Sequence, residues 1–577
     1  MAVANEPRMS TEKVVDVEKG SETPATTDVA IKEEDIQYPT GQKLVLLMVA
    51  LYLCMFIVAL DRTIIGTAIP KITDDFKSIG DVGWYASSYL ITMCAFQLIY
   101  GRIYTFYSPK WVLLYAIAVF EIGSAICGAA PNSVAFIIGR SISGLGSAGI
   151  FSGVVIIMVF SVPLAKRPVY QGLFGAVFGI ASVTGPLLGG VFTTKVSWRW
   201  CFYINLPIGA VVVAIVILIL DLPPTKNKDS LKEQFFKLDP YGTAVFLPGV
   251  VCLLLALQWG GTVYAWKSAR IIALIILAAF LLVVFAVIQV KSGDRATVPI
   301  RIIKQRSIIA GACSSFINAG SMMITIYYLP IWFQAIKGYS AVKSGVDTLP
   351  LVLALVAASI VSGGLTAKTG YYTGQLIASS IISSVGAGLL TTLKVSSPKS
   401  TWIGFQFLYG FGLGLGMQQP GMAAQTVLEH KDVMTGVSIM FLFQGLGGAI
   451  WVSVGQTVFN QALLTKFSHI ANLNVAQIVN TGATEIRHLV DPAMLPEVLV
   501  AYNGALMDIL KVAAALSAAA IIGGLTMEWR SVKNKNGAGV KKNVKAEKSV
   551  EPSNEQENGS ARTSRNSVVD PELNEKL

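Results

Sequence analysis

Six side chains stand out because they carry charge where the surrounding sequence is apolar: Asp61, Arg62, Glu121, Arg140, Asp508 and Lys511. Each lies inside a hydrophobic run long enough to cross a bilayer, where inserting a charge costs about 2.5 to 3.5 kcal/mol. Charges kept against that cost are candidates for chemistry: a carboxylate in an oily interior can take up and release a proton, and a nearby guanidinium, which stays charged, sets how readily it does so. Asp61 lies about two-thirds of the way along its run, and Arg140 at similar depth on a run of opposite direction, so the two can pair. Glu121 is about ten residues into its run, roughly 15 Å at about 1.5 Å per residue, near the bilayer centre. A carboxyl there must be shielded from lipid and is hard to keep charged unless a cation is close. Asp61, Arg62, Glu121 and Arg140 are the expected proton-coupling residues. Asp508 and Lys511, three positions apart on one helical face, read more simply as a self-neutralising pair.

The elements that must hold these charges follow from bulk chemistry. Of 577 residues, 53% are hydrophobic and 14% charged, with mean hydropathy +0.60; a soluble chain carries about 25% charged residues. The apolar runs fall at approximately 43–69, 82–103, 111–130, 133–160, 170–192 and 203–221, then 241–265 and 269–290. A further group lies at 307–335, 346–367, 371–393, 401–428, 433–460 and 502–527. Each has roughly the 20 residues a spanning helix needs. The expected fold is all-α and integral to the membrane: a six-helix bundle over 43–221, two extra helices within 222–306, and a second six-helix bundle over 307–527, fourteen helices in all. The polar segments 1–42 and 528–577 read as disordered tails.

Lys and Arg set the orientation. Lys166/Arg167, the run Lys226, Lys228, Lys232 and Lys237, and the run Lys291, Arg295, Arg301, Lys304 and Arg306 all fall on one side. Arg530, Lys533, Lys535, Lys541, Lys542, Lys545 and Lys548 follow the last helix and join them. Both tails are therefore expected in the cytoplasm, against the anionic leaflet. The net charge of +11 then describes orientation and not nucleic-acid binding. The first forty or so residues carry no apolar stretch, so no cleavable signal is expected.

Several functions lack their residues. The cysteines 54, 94, 127, 201, 252 and 313 have no metal-ligand spacing, so neither a zinc site nor a disulfide framework is expected. His430, His469 and His488 fall in loops without triad or metal spacing, which disfavours an enzyme. No Gly-x4-Gly-Lys-Ser/Thr loop is present to cradle nucleotide phosphates, so energy must come from a gradient and no cofactor is expected.

The two bundles look related. Gly101-Arg102-Ile103-Tyr104-Thr105-Phe106-Tyr107-Ser108-Pro109-Lys110 follows the second run of the first half, and Gly363-Gly364-Leu365-Thr366-Ala367-Lys368-Thr369-Gly370 follows the second run of the last. Repeats of this kind place a substrate site near the midplane where the halves meet. In the fifth run, Gly172, Gly175, Gly179, Gly185, Gly189 and Gly190 clear a stripe for close helix approach, and Pro186 loosens the backbone. The residues Gly172, Gly185, Pro186, Gly189 and Gly190 are the expected conformational motif, a pivot on which the halves rock.

Gly172-x8-Ala181-x3-Gly185-Pro186-x2-Gly189-Gly190 resembles the antiporter motif of major facilitator superfamily exporters, with alanine at the middle glycine. Leu60-Asp61-Arg62-Thr63-Ile64-Ile65 through Ala68-Ile69-Pro70 is similar to the first-helix motif of the fourteen-helix drug:proton antiporters. Arg140 with Gly144 and Gly146 resembles their fourth-helix motif, in which the arginine is implicated in proton transfer. Trp198-Arg199-Trp200-Cys201-Phe202-Tyr203-Ile204-Asn205-Leu206-Pro207-Ile208-Gly209 is the most specific match. The turn after the second run departs from the superfamily pattern, with Thr105 for aspartate and Ser108 for glycine.

Tyr327-Tyr328-Leu329-Pro330-Ile331-Trp332-Phe333-Gln334 looks like fungal members that export toxins, secondary metabolites or antifungal compounds. The resemblance implies a major facilitator fold and proton-coupled efflux of small organic compounds by alternating access, with a monomer as the working unit. The related siderophore carriers run the same fold inward, and a receptor on a transporter scaffold is a further alternative. The plasma membrane is the expected location, with a vacuolar or vesicular membrane as the other. Polar and aromatic side chains in the last six runs, Tyr327, Tyr328, Gln334, Gln418, Gln419 and Gln444, are the expected substrate contacts. A reporter fused after Leu577 should be cytoplasmic; an extracellular reporter would refute the even count of spans with both ends inside.

Overall fold

The computed structural model describes residues 38–78, 81–221, 230–261, 263–468, 470, 487 and 490–533. Most of the two expected tails lies outside the described residues, as do His469, His488 and the basic positions Lys226, Lys228 and Lys535 onward. Helices α1 (Gly41–Phe76), α2 (Val82–Phe106), α3 (Pro109–Ala129), α4 (Ser133–Ser161), α5 (Arg167–Val191) and α6 (Trp200–Ile219) make the first bundle. A hairpin follows, α7 (Pro240–Trp259) and α8 (Ala269–Ser292). The second bundle comprises α9 (Arg306–Ala335), α10 (Leu349–Thr369), α11 (Thr373–Leu390), α12 (Lys399–Gly416), α13 (Gln419–Val427), α14 (Val433–Phe467) and α15 (Leu495–Thr526).

Among the described residues, 13 helices are long and apolar enough to cross a membrane. The remaining expected span, 401–428, is present in two pieces, α12 and α13, parted at Met417 and Gln418. Pro420 in the first turn of α13 has no N–H to continue the ladder from α12, which accounts for the break. With fourteen crossings, both described chain ends lie on one side, the termini face.

Helix starts follow local chemistry. The Asn132 side chain accepts the Ala135 N–H at 2.9 Å and caps α4, which then forms the hub of the first bundle, with 89% of its most apolar stretch buried. Its neighbour α3 comes close because glycines remove the spacer: a Cβ on Gly123 would sit 2.4 Å from the Ser143 nitrogen. At the other extreme, only 11% of the α8 stretch is buried, so its Ile276, Phe280 and Val283 face lipid.

Two seams join the halves, α5 against α10 and α2 against α14, and α7 packs on both α2 and α14. Of the hairpin, α7 thus bridges the halves while α8 lies outside it. On the termini face, buried Arg102 of α2 donates to the carbonyls of Lys237 and Arg295 at 2.8 and 3.0 Å, which flank the hairpin. Arg301, just beyond it, pairs with Asp432 in the α13–α14 turn. Beyond α15, Val532 donates to Gly370 O at 2.9 Å and Lys533 to Lys368 O at 2.7 Å, so order runs six residues past the expected 527 boundary.

Asp239 closes the hairpin at its termini-face end. It takes the left-handed conformation, φ 52°, which aspartate tolerates better than most residues, and caps α7 through Gly242 N at 2.9 Å. Its other oxygen accepts Gln289 Nε2 at 2.7 Å and both the nitrogen and hydroxyl of Thr297 at 2.9 Å. Burial pushes this carboxyl up, but the donors from Gln289, Thr297 and Gly242 outweigh it and hold Asp239 below the usual carboxylate range. A depressed value stabilises the fold fully above the ordinary carboxylate range and is lost as pH falls through the folded value. Asp239→Ala strands these donors and should cost about 2 kcal/mol, with Asp239→Asn milder. Thermal unfolding in detergent at neutral pH checks this, and equal midpoints for all three proteins would refute it.

Candidate functional site

The charged core is built by five of the six helices of the first bundle. Asp61 on α1 places Oδ2 2.6 Å from Nη1 of Arg140 on α4, with 0% and 1% of the two side chains exposed. Arg140 Nε donates to Tyr85 O on α2 at 3.0 Å, and the guanidinium carbon lies 4.5 Å from the Tyr89 ring centroid. Asn205 on α6 donates to Asp61 Oδ1 at 3.4 Å and to Ser124 Oγ on α3 at 3.2 Å. A pair this deep survives because each charge is hydrogen-bonded as well as matched; removing one partner from such a pair costs about 3 to 5 kcal/mol.

The tryptophan-rich motif explains how Asn205 reaches this point. Trp198 Nε1 donates to Asp75 Oδ2 at 2.7 Å, and Arg199 Nη1 donates to the carbonyls of Gly128 and Ala130 at 3.1 and 2.8 Å. The α5–α6 connection is thereby tied over the α3–α4 turn, and Asn205, in the second turn of α6, comes beside Asp61. Asn205 escaped the sequence reading as a site residue because an uncharged amide draws no attention beside ionisable groups.

Glu121, half-buried, is the second acid of this core. Both of its carboxyl oxygens are buried without a hydrogen-bond partner among the described residues, packed on Gly209, where an added Cβ would sit 2.0 Å from Oε1. Asp508 and Lys511 pair at 2.8 Å as expected from their spacing, but Lys466 of α14 joins Asp508 at 3.0 Å, so the cluster keeps a net positive charge.

Arg62 stands apart from this network. One residue on from Asp61, it turns outward to a central cavity of about 720 Å³ lined by both halves and by α7. Its guanidinium carbon lies 5.9 Å from the Phe178 ring centroid. Of the expected substrate contacts, Tyr327, Gln418 and Gln444 line the cavity. Tyr328 is buried in the second bundle and donates to Gln456, which does line it, at 3.1 Å. Gln419 donates to Ser362 Oγ at 2.6 Å inside the bundle, and Gln334 is not among the lining residues. Gln97, Gln171, Asn318 and Gln258 line it as well and were not singled out from sequence. Polarity inside a span was their only signal, and sequence cannot say which side of a helix meets the gap.

The cavity reaches Ile69, Val82 and Gly260 at helix ends opposite the termini face and stops near Gln171 and Val437. At and below that level the halves touch. A Cβ on Gly172 would lie 2.5 Å from Ser359 O, one on Gly363 2.4 Å from Pro168 O, and one on Gly101 2.5 Å from Ser438 Oγ. The fifth-helix glycines therefore divide. Gly172, Gly175 and Gly179 face α10 of the other half, whereas Gly185 and Gly189 accommodate Thr63 and Thr67 of α1. Gly190 has open space around it, and Pro186 lies within α5, where its missing N–H leaves the turn above Ser182 unbonded.

This architecture has counterparts of known lineage. Residues 51–452 match the Major Facilitator Superfamily. The chain belongs to that superfamily. It is 51% identical over 528 residues to an MFS-type efflux pump of Arthroderma benhamiae, covering 91% of this chain and 98% of the relative. It is also 51% identical to a rubrofusarin-specific efflux pump of Gibberella zeae, covering 87% and 92%. A proton:xylose symporter of the superfamily shares the fold with TM-score 0.53 at 13% identity, over 85% of this chain and 98% of that one. The chain is a multi-pass membrane transporter of small organic compounds, and the central cavity is its candidate transport site. Replacing Gly172 by leucine should prevent closure at the termini face, because even a Cβ crowds Ser359 O. Labelling of Val437→Cys by an impermeant thiol reagent from that face should then rise several-fold, and unchanged labelling would count against this seam as a gate.

Proposed function

We propose that this protein is a proton-driven exporter, seen with its cavity facing outward. The observation that carries the reading is the division of α1 into two faces. Asp61 is locked in the buried network with Arg140 and Asn205, while Arg62 and Thr63 meet the central cavity. Protonating Asp61 removes half of the ion pair, leaves Arg140 unmatched, and so favours any arrangement of α1 that relieves it. Thr63 donates to Ala181 O on α5 at 3.0 Å, and α5 carries the glycine seam against α10. Rotation or sliding of α1 is thus linked mechanically to the contact that closes the termini face.

The orientation expected from basic residues puts that face in the cytoplasm. In the cycle we infer, organic substrate binds when the cavity opens inward, and protons arriving from outside reach Asp61 and Glu121 and favour release. Return of the protons to the cytoplasm resets the charges. Glu121, with two unpartnered oxygens beside this network, is suited to hold a proton in transit. The relatives' names support efflux as the direction, and the plasma membrane is the location that makes efflux productive. One chain encloses the whole cavity, which supports a monomeric working unit.

Asp61→Asn keeps the shape and one hydrogen-bond acceptor but cannot cycle a proton. In proteoliposomes under an imposed pH gradient, this variant should lose uphill substrate accumulation while eluting as the wild type on size exclusion. Accumulation equal to wild type would refute proton coupling at Asp61.

A further inference from the structure

The cavity wall has an uneven chemistry. Arg62 is its only charged side chain among the described residues, and no carboxylate lines it. The nearest acid in sequence, Asp61, is already matched to Arg140, and among the described residues no ion pair involves Arg62. Its positive charge therefore projects into a space walled mostly by apolar residues, methionine and phenylalanine among them, where apolar surroundings strengthen its field. The side-chain amides of Gln418 and Gln444 also line the cavity. An amide offers both a donor and an acceptor, which suits a ligand bearing hydroxyl groups. Flexible thioethers, such as Met322 and Met440, and the ring of Phe178 suit flat aromatic surfaces.

We infer that the transported compounds are flat, hydroxyl-bearing aromatics that are neutral or anionic, anchored through phenolate, enolate or carboxylate oxygen by Arg62, and that organic cations are excluded. This rests on the reading of the cavity as the transport site. Arg62 then sets substrate charge, and Gln418 and Gln444 meet substrate hydroxyls. The same helix that senses protons through Asp61 holds the substrate's negative end one residue further on, so anion binding and Asp61 protonation bear on one element.

The test uses the full chain purified in detergent and three anthraquinones that differ at one position: a carboxylate, its methyl ester and a trimethylammoniomethyl cation. Titration calorimetry should show binding of the carboxylate and ester, with the cation at least about tenfold weaker. Arg62→Gln should weaken the carboxylate about tenfold, as loss of a charge-assisted hydrogen bond implies, and leave the ester within about twofold. Arg62→Lys should restore most of the carboxylate affinity. Equal wild-type affinity for cation and carboxylate, equal weakening of all three by Arg62→Gln, or no binding of any of them would overturn the inference. Because the wild-type series alone decides charge preference, a poorly folding variant does not blunt the test. Flux driven by a pH gradient is measured separately: intact flux without charge preference removes this inference and leaves the exporter, whereas charge-selective binding without such flux does the reverse.

Discussion

The Asp61–Arg140 pair is the interaction on which the rest depends. Two opposite charges in an oily bundle are tolerated only while they stay matched, so every helix that touches them is constrained to keep them so. Tyr85 and Tyr89 from α2, Ser124 from α3 through Asn205, and Asn205 itself from α6 complete that requirement. The first bundle is consequently organised around a pair that neither partner can leave without stranding the other's charge.

Changes at the pair can reach the gate because small residues leave no slack between helices. Thr63 and Thr67 sit where Gly185 and Gly189 lack side chains, and further along α5 the absence of side chains at Gly172 and Gly175 brings α10 into backbone contact. Contacts at this range are either made or broken; intermediate separations lose the packing without gaining water. The two-sided use of one helix is what ties the helix of Asp61 to the seam between halves.

The central hairpin belongs to this machinery and is more than a spacer. Its termini-face end is held to the first half by Arg102 and to the second by the Arg301–Asp432 pair. At the opposite end Ser453 of α14 donates to Leu257 O at 2.7 Å, and Trp84 of α2 packs edge-on to Trp259 at 5.7 Å. Leu254 and Gln258 from α7 line the cavity. The hairpin therefore shares contacts with both halves and contributes to the cavity wall.

The sequence by itself determined the spans, their number and the two fully buried charges of the core, Asp61 and Arg140, because lipid imposes a strict length and polarity on each crossing. It also determined that Asp61 and Arg140 lie at matching depth, since rise along a helix is constant. What it left open was which way each residue turns. Neighbours Asp61 and Arg62 carry opposite charges on the same apolar run, yet one is sealed in the bundle and the other meets the cavity. Tyr327 and Tyr328 divide in the same way, as do Gln418 and Gln419. Only the tertiary structure decided these, because the faces of a spanning helix are told apart by what packs on them, and packing partners come from distant parts of the chain.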